Sequence, residues 1–154
     1  MRGMDEIGRR HPAHGVHVAL ALPTIVFLTV CTKNRLPWLA GEEAHAALLA
    51  IWREAAAWTV GRYVLMPDHL HLFCAPTDAD ITLDAWVRYW KSRFRRQAPC
   101  PEWRWQPHHW DTRLRRGESC SKKWEYVRQN PVRAGLVADP EAWPYQGECH
   151  ILRW

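Results

Sequence analysis

In the stretch MPDHLHLF, residues 66 to 73, two histidines stand one residue apart inside an otherwise apolar run. Alternate side chains of a strand share a face, so His69, His71 and Phe73 would point one way and Leu70, Leu72 and Cys74 the other. Imidazoles set side by side like this can both reach one metal ion, whereas a lone strand histidine usually just makes a hydrogen bond. The spacing fits a structural or surface pair equally well, and a metal would need a third donor. The segment SCSKKWEYVRQN, 119 to 130, offers one. At about 100° per residue, a helix there puts Cys120, Trp124 and Val127 on an apolar stripe. Tyr126 is aimed away from that stripe, with Lys122 one turn before it and Asn130 one turn after. An exposed tyrosine on a charged helix is common, but a histidine pair, a tyrosine and a ligand at i+4 are parts from which a nucleic-acid strand could be cleaved.

Charge points the same way. Between Trp86 and Arg116 nine Lys or Arg stand against two acids, leaving twelve bases against fourteen acids elsewhere, so this segment carries the whole excess behind the net charge of +5. It also holds Trp86, Trp90, Trp103, Trp105 and Trp110, five of the eleven tryptophans. Cations attract phosphates and flat rings stack on unpaired bases, a combination suited to single-stranded nucleic acid. The plainer alternative is a solvated basic helix whose tryptophans face the core.

The elements that must position these groups follow from periodicity. TIVFLTVCT (24 to 32) is rich in β-branched residues and reads as a strand, and GEEAHAALLAIWREAAAW (41 to 58) as a helix with acids in its first turn. RYVLM (62 to 66) and HLHLFCA (69 to 75) read as two strands joined tightly at Pro67-Asp68. ITLDAWVRYWKSRFRRQ (81 to 97) is helical, HHWDTRLR (108 to 115) a short strand, and 119 to 130 a helix capped by Ser119 and stopped before Pro131. The Pro- and Gly-punctuated tail should wrap back over the sheet. This order predicts an α+β fold, an antiparallel sheet with helices on one face.

At 154 residues, 47% apolar and 24% charged, the chain has the size and composition of one globular domain, which excludes wholesale disorder. Residues 1–23 are expected to be a loose N-terminal segment and 24–150 the domain. The five cysteines are widely spaced with no CxxC pair, which favours a reducing cytoplasm over a disulfide framework. The apolar run near the N-terminus is broken by His14, Gly15 and His17 and ends at Pro23, so neither a signal peptide nor a membrane span is expected.

Taken together, FLTVCTKNR (27 to 35), YVLMPDHLHLF (63 to 73), WVRYWKSRFRR (86 to 96), WRWQ (103 to 106), YVRQNPVRAGLV (126 to 137) and WPYQGE (143 to 148) make the chain resemble the REP-associated tyrosine transposases. These are a branch of the single-tyrosine HUH transposase superfamily, acting on single-stranded DNA. The resemblance implies a ferredoxin-like or RRM-like sheet with the histidine strand central. It implies that His69 and His71 are the histidine pair, Tyr126 the nucleophile and Asn130 the third metal ligand. The expected substrate is a single-stranded DNA hairpin of the repetitive extragenic palindrome type, and the expected cofactor Mg²⁺ or Mn²⁺.

A free phenol has a pKa of about 10 and is barely ionised at neutral pH, so Lys122 or Lys123 is expected to favour the phenolate. Attack by Tyr126 would leave a 5′-phosphotyrosine and a free 3′-hydroxyl, and reversal with another 3′-hydroxyl would rejoin strands. Arg88, Lys91, Arg93, Arg95 and Arg96 are the expected phosphate contacts. The family often has a histidine just after an aspartate where His108 and His109 here precede Asp111, so the role of these two stays open, as does the choice between monomer and homodimer. The rival readings are a hairpin-binding module that no longer cuts, and a zinc protein using His69 and His71 with a cysteine.

Overall fold

The computed structural model describes residues 24–115 and 117–153, so the expected N-terminal segment 1–23 lies outside the described residues. Five strands form one antiparallel sheet: β1 Ile25–Thr32, β2 Trp58–Leu65, β3 His69–Pro76, β4 Trp105–Leu114 and β5 Gln146–Glu148. Helix α1, Glu42–Glu54, links β1 to β2, and α2, Leu83–Gln97, links β3 to β4. Helix α3, Gly117–Val127, and the single turn α4, Asn130–Arg133, follow β4. The strand order β4-β1-β3-β2-β5 is the ferredoxin-like arrangement of four strands with one short strand added, and β3 is central as expected.

Strands β1 and β3 are apolar along one whole face and, at Ile25, Phe27 and Phe73, along part of the other, which is why they read as near-continuous hydrophobic runs. On one face Val26, Leu28 and Val30 of β1 meet Leu70, Leu72 and Cys74 of β3 under the two long helices. Helix α1 seals this core with Ala44, Leu48, Ile51 and Trp52, and α2 with Leu83, Trp86, Val87, Trp90 and Phe94, each at helical spacing. The Thr82 hydroxyl caps α2 by accepting from the Ala85 amide at 3.1 Å. Buried indoles are tied to backbone: Trp86 Nε1 donates to the Ala55 carbonyl at 2.6 Å and Trp58 Nε1 to that of Ile81 at 2.9 Å.

The expectation of helices on one face holds for α1 and α2 and is corrected for α3. Cys120, Trp124 and Val127 of α3 pack on the opposite face, against a second core of Ile25, Phe27, Val64 and Phe73. The apolar stripe of α3 therefore needs the odd-numbered residues of β1 and β3, which point away from α1 and α2.

Boundaries moved for identifiable reasons. Strand β2 starts at Trp58, four residues earlier than expected, because Gly61 breaks the β-branched pattern without breaking the strand. A side chain at Gly61 would lie 2.7 Å from Leu152 of the returning tail. Strand β4 runs through Pro107, at an irregularity in its pairing with β1 between Val30 and Thr32 that an edge strand tolerates. Helix α3 begins at Gly117 rather than at Ser119 and stops at Val127, so Asn130 opens a separate turn. The tail does return: Trp143 Nε1 donates to the Leu65 carbonyl at 2.9 Å and β5 pairs with β2.

Trp90 is fully buried, edge-on to Trp52, Trp86 and Trp105. Trp90→Ala is expected to cost about 3–5 kcal/mol, read as a lowered urea midpoint; a loss below about 1 kcal/mol would mean that the tryptophan cluster does not carry this core.

Candidate active site

The pleat of β3 sets His69 and His71 side by side, ring centroids 4.9 Å apart. Each ring is held through Nδ1. His69 Nδ1 donates to the Asp68 carboxylate at 2.8 Å, and His71 Nδ1 is 2.8 Å from Thr29 Oγ1 on the paired strand, with Phe27 stacked on its ring at 5.1 Å. Burial pushes the Asp68 carboxyl up, but bonds from His69 and Arg35 outweigh it and hold the group below its usual range. A carboxylate fixing one ring nitrogen leaves Nε2 as the donor atom, the arrangement that orients histidine metal ligands. Burial, helped by His69, Lys123 and Arg133, pushes His71 down to about 3, so its imidazole is neutral and able to donate a lone pair.

Helix α3 lies over this face. Trp124 packs on Phe73 with centroids 6.2 Å apart, and Lys123 Nζ stands 5.1 Å over the Phe27 ring. Tyr126, as the helical wheel requires, is 65% exposed. Its ring carries the Arg133 guanidinium at 4.0 Å, and Arg133 also donates to the Tyr126 carbonyl at 2.9 Å and to Asn130 Oδ1. Arg133 thus ties Tyr126 and Asn130 together while its charge acts on His71. Lys122 is exposed and Lys123 half-buried towards the sheet.

The donor chemistry fits a divalent cation at the two imidazoles. Among the described residues no group of three or more His, Cys, Asp or Glu could hold a metal ion; a side-chain amide oxygen is a further kind of donor. Asn130 Oδ1 has a second lone pair beyond its bond to Arg133. Cys31, registered opposite His69, is pushed up by burial.

The other tyrosines are committed elsewhere. Tyr63 is buried, bonded to His45 Nε2 at 2.6 Å and pushed up to about 12 by that burial; Tyr89 lies on α2, bonded to Arg93 at 3.0 Å. Tyr145 packs edge-on against Trp143.

The basic tract divides. Arg88, Arg95 and Arg96 are exposed, while Arg93 pairs with Glu54 at 2.6 Å. Lys91 is turned inwards, donates to the Gln106 carbonyl at 2.9 Å, and is pushed down to about 8 by burial. It braces β4 and is a poor phosphate contact. All five residues lie on the helix that covers the sheet face opposite the histidines. Of the five tryptophans, Trp86 and Trp90 are core, and Trp103 and Trp105 pack against it; Trp110 is 45% exposed. The plainer reading of the tract holds for four of them.

His108 and His109 line a cavity of about 230 Å³ beneath α2 with Asp84, Arg88, Lys91 and Pro107. His109 Nε2 sits 3.0 Å from Asp84 and 3.4 Å from the buried Asp111. Sequence reasoning missed Asp68, Thr29 and Arg133. Asp68 adjoins the pair in MPDHLH and Arg133 lies within NPVRAG, but nothing local marks Thr29, whose role exists only through strand pairing.

The site thus sits on a ferredoxin-like sheet, with paired histidines on its central strand and a tyrosine-bearing helix over the same face. No family model matches the chain. It is 28% identical over 94 residues to a protein of Haemophilus influenzae provisionally named a REP-associated tyrosine transposase, the match covering 53% of each chain. To the REP-associated tyrosine transposase of Escherichia coli it is 24% identical over 122 residues, covering 77% of this chain and 73% of the other. The chain thus spans about half the length of the first relative and about three quarters of the second. A solved structure of a REP-associated tyrosine transposase bound to a REP hairpin superposes with a TM-score of 0.66 at 21% identity, covering 93% of this chain and 82% of that one, a likeness of fold. The resemblance read in the sequence is borne out: this chain is a relative of the REP-associated tyrosine transposases.

Between pH 6.5 and about 3 the unfolded chain binds a proton at His71 that the folded chain refuses. Stability from this group is complete above 6.5 and is lost as pH falls, by at most about 1.4 kcal/mol per pH unit. In chelator, the urea midpoint of wild type is expected to fall between pH 6.5 and 4.5 more steeply than that of His71→Asn; parallel curves would mean that His71 takes up its proton in place.

Proposed function

We propose that this chain nicks and rejoins single-stranded DNA at hairpins of the repetitive extragenic palindrome type, through a covalent 5′-phosphotyrosine at Tyr126. The observation that carries the reading is Arg133, whose one guanidinium stacks on Tyr126, binds Asn130 and lowers the pKa of His71. The names of the relatives, and the REP hairpin in the solved neighbour, support the choice of DNA.

Tyr126 Oη attacks the scissile phosphorus, forming the Oη–P bond and breaking P–O3′. The phenolic proton leaves to solvent and the departing 3′ oxygen takes one up, so the products are a 5′-phosphotyrosine and a 3′-hydroxyl. The aryl phosphate keeps the phosphodiester bond energy, and attack by another 3′-hydroxyl reverses the step on a new strand. Mg²⁺ or Mn²⁺, held by His69 and His71 with Asn130 as third donor, would neutralise charge on the phosphate and polarise it for attack. Lys123 and Arg133 add fixed positive charge where that phosphate must lie. Asp68 and Thr29 hold the two imidazoles in place through Nδ1, and the Asp68 carboxylate, which can only accept, keeps the proton of His69 on Nδ1. Arg88, Arg95 and Arg96 are the exposed cations left for hairpin phosphates running past the β4 edge.

The deciding experiment incubates labelled hairpin DNA and Mn²⁺ with wild type and with Tyr126→Phe, and runs gels before and after protease. A protein-linked, protease-sensitive band from wild type alone is the expected result. Cutting by both proteins would remove Tyr126 as nucleophile, and binding without cutting by wild type would leave a hairpin-binding module. In a second test, Asp68→Asn is expected to weaken Mn²⁺ binding about 10- to 100-fold in calorimetric titration; unchanged affinity would mean that His69 does not ligate through Nε2.

A further inference from the structure

Trp110 is the exception among the tryptophans of the basic tract. Its neighbours on β4, His109 and Asp111, face α2, where His109 meets Asp84 and Asp111 is buried. Alternation along the strand therefore turns Trp110 to the other face. Register says which neighbours it has there: Thr29 pairs with Trp110 on one side and with His71 on the other. The Thr29 hydroxyl, 2.8 Å from His71 Nδ1, confirms that this row of residues looks out on the histidine side. Two strand spacings separate Trp110 from His71, about 10 Å. An indole left 45% exposed on a sheet face, in a chain that buries most of its others, has not been placed there by the core.

We propose that Trp110 is a specificity and positioning residue whose indole stacks on an unpaired base of the DNA next to the scissile phosphate. The proposal rests on the DNA-cleaving reading above and deepens it by naming the part of the substrate this surface takes: the single-stranded extension, not the paired stem. Aromatic side chains on an open sheet face hold unpaired bases in this way because every base has a π-face and loses little by leaving water for an indole. The contacts of His109 with Asp84 and with the buried Asp111 also gain a purpose, since they fix the pleat of β4 and so the direction in which Trp110 points.

The test measures equilibrium binding by fluorescence anisotropy in chelator, so that no cleavage intervenes. The probes are a REP-type hairpin carrying a single-stranded extension and the same hairpin trimmed flush. Wild type, Trp110→Phe, Trp110→Leu and Trp110→Ala are compared at equal Tm. Wild type is expected to bind the extended hairpin more tightly than the flush one. Leu and Ala are expected to lose about tenfold, or ~1.4 kcal/mol, on the extended probe only, and Phe to keep most of the affinity. The Leu variant preserves apolar bulk on the strand, so a loss shared by Leu and Ala but not Phe reports stacking rather than folding. Equal binding of the extended hairpin by all four proteins overturns the stacking role alone. Equal losses on both probes overturn it as well. Failure of wild type to bind either DNA brings down the hairpin reading itself, and this proposal with it.

Discussion

The constraint on which the rest of the structure depends is the pleat of β3 in register with β1. One alternation serves two purposes: Leu70, Leu72 and Cys74 close the core beneath α1 and α2, while His69, His71 and Phe73 face α3. A slip of one residue would bury two imidazoles among tryptophans and expose the leucines, at a cost no domain of this size could bear. The tight turn at Pro67-Asp68, where the Met66 amide donates to the His69 carbonyl at 2.7 Å, and the bond of Thr32 N to the Asp68 carbonyl at 3.0 Å fix that register. Fold stability and site geometry are therefore one property here.

Electrostatics divides along the same sheet. The face under α2 neutralises its charges internally, with Lys91 on backbone carbonyls and His109 between two carboxylates. The opposite face keeps cations beside the histidines, and their charge together with burial keeps His71 neutral. The positive excess so evident in the sequence thus has several destinations, of which only part is available to an outside anion.

What the sequence made legible followed from short-range rules. The two-residue period placed His69, His71 and Phe73 on one face, and the 3.6-residue period placed Cys120, Trp124 and Val127 against the sheet with Tyr126 outside; both are observed. Less legible was anything decided by pairing between distant strands or by the second layer. Periodicity reports that α3 has an apolar stripe without reporting which face of the sheet receives it. That Lys91 turns inwards to the Gln106 carbonyl was not legible, because a lysine on a basic helix looks the same whether or not β4 runs beneath it. Thr29 and Trp110 acquire meaning only from register.

Helix α3 and the turn α4 lie in the chain between β4 and β5, which are the two outermost strands of the sheet. The segment bearing Tyr126 and Asn130 is consequently a strap buckled at both rims. Its near rim is a ten-residue strand, its far rim only three residues long and secured by Trp143 on the Leu65 carbonyl. Opening of the short rim, a small local event compared with global unfolding, would slacken the strap while leaving the tryptophan core intact. Between the two rims the strap is pressed to the sheet by Cys120, Trp124 and Val127, so the residues from Trp143 to Glu148 decide how firmly its far end is held.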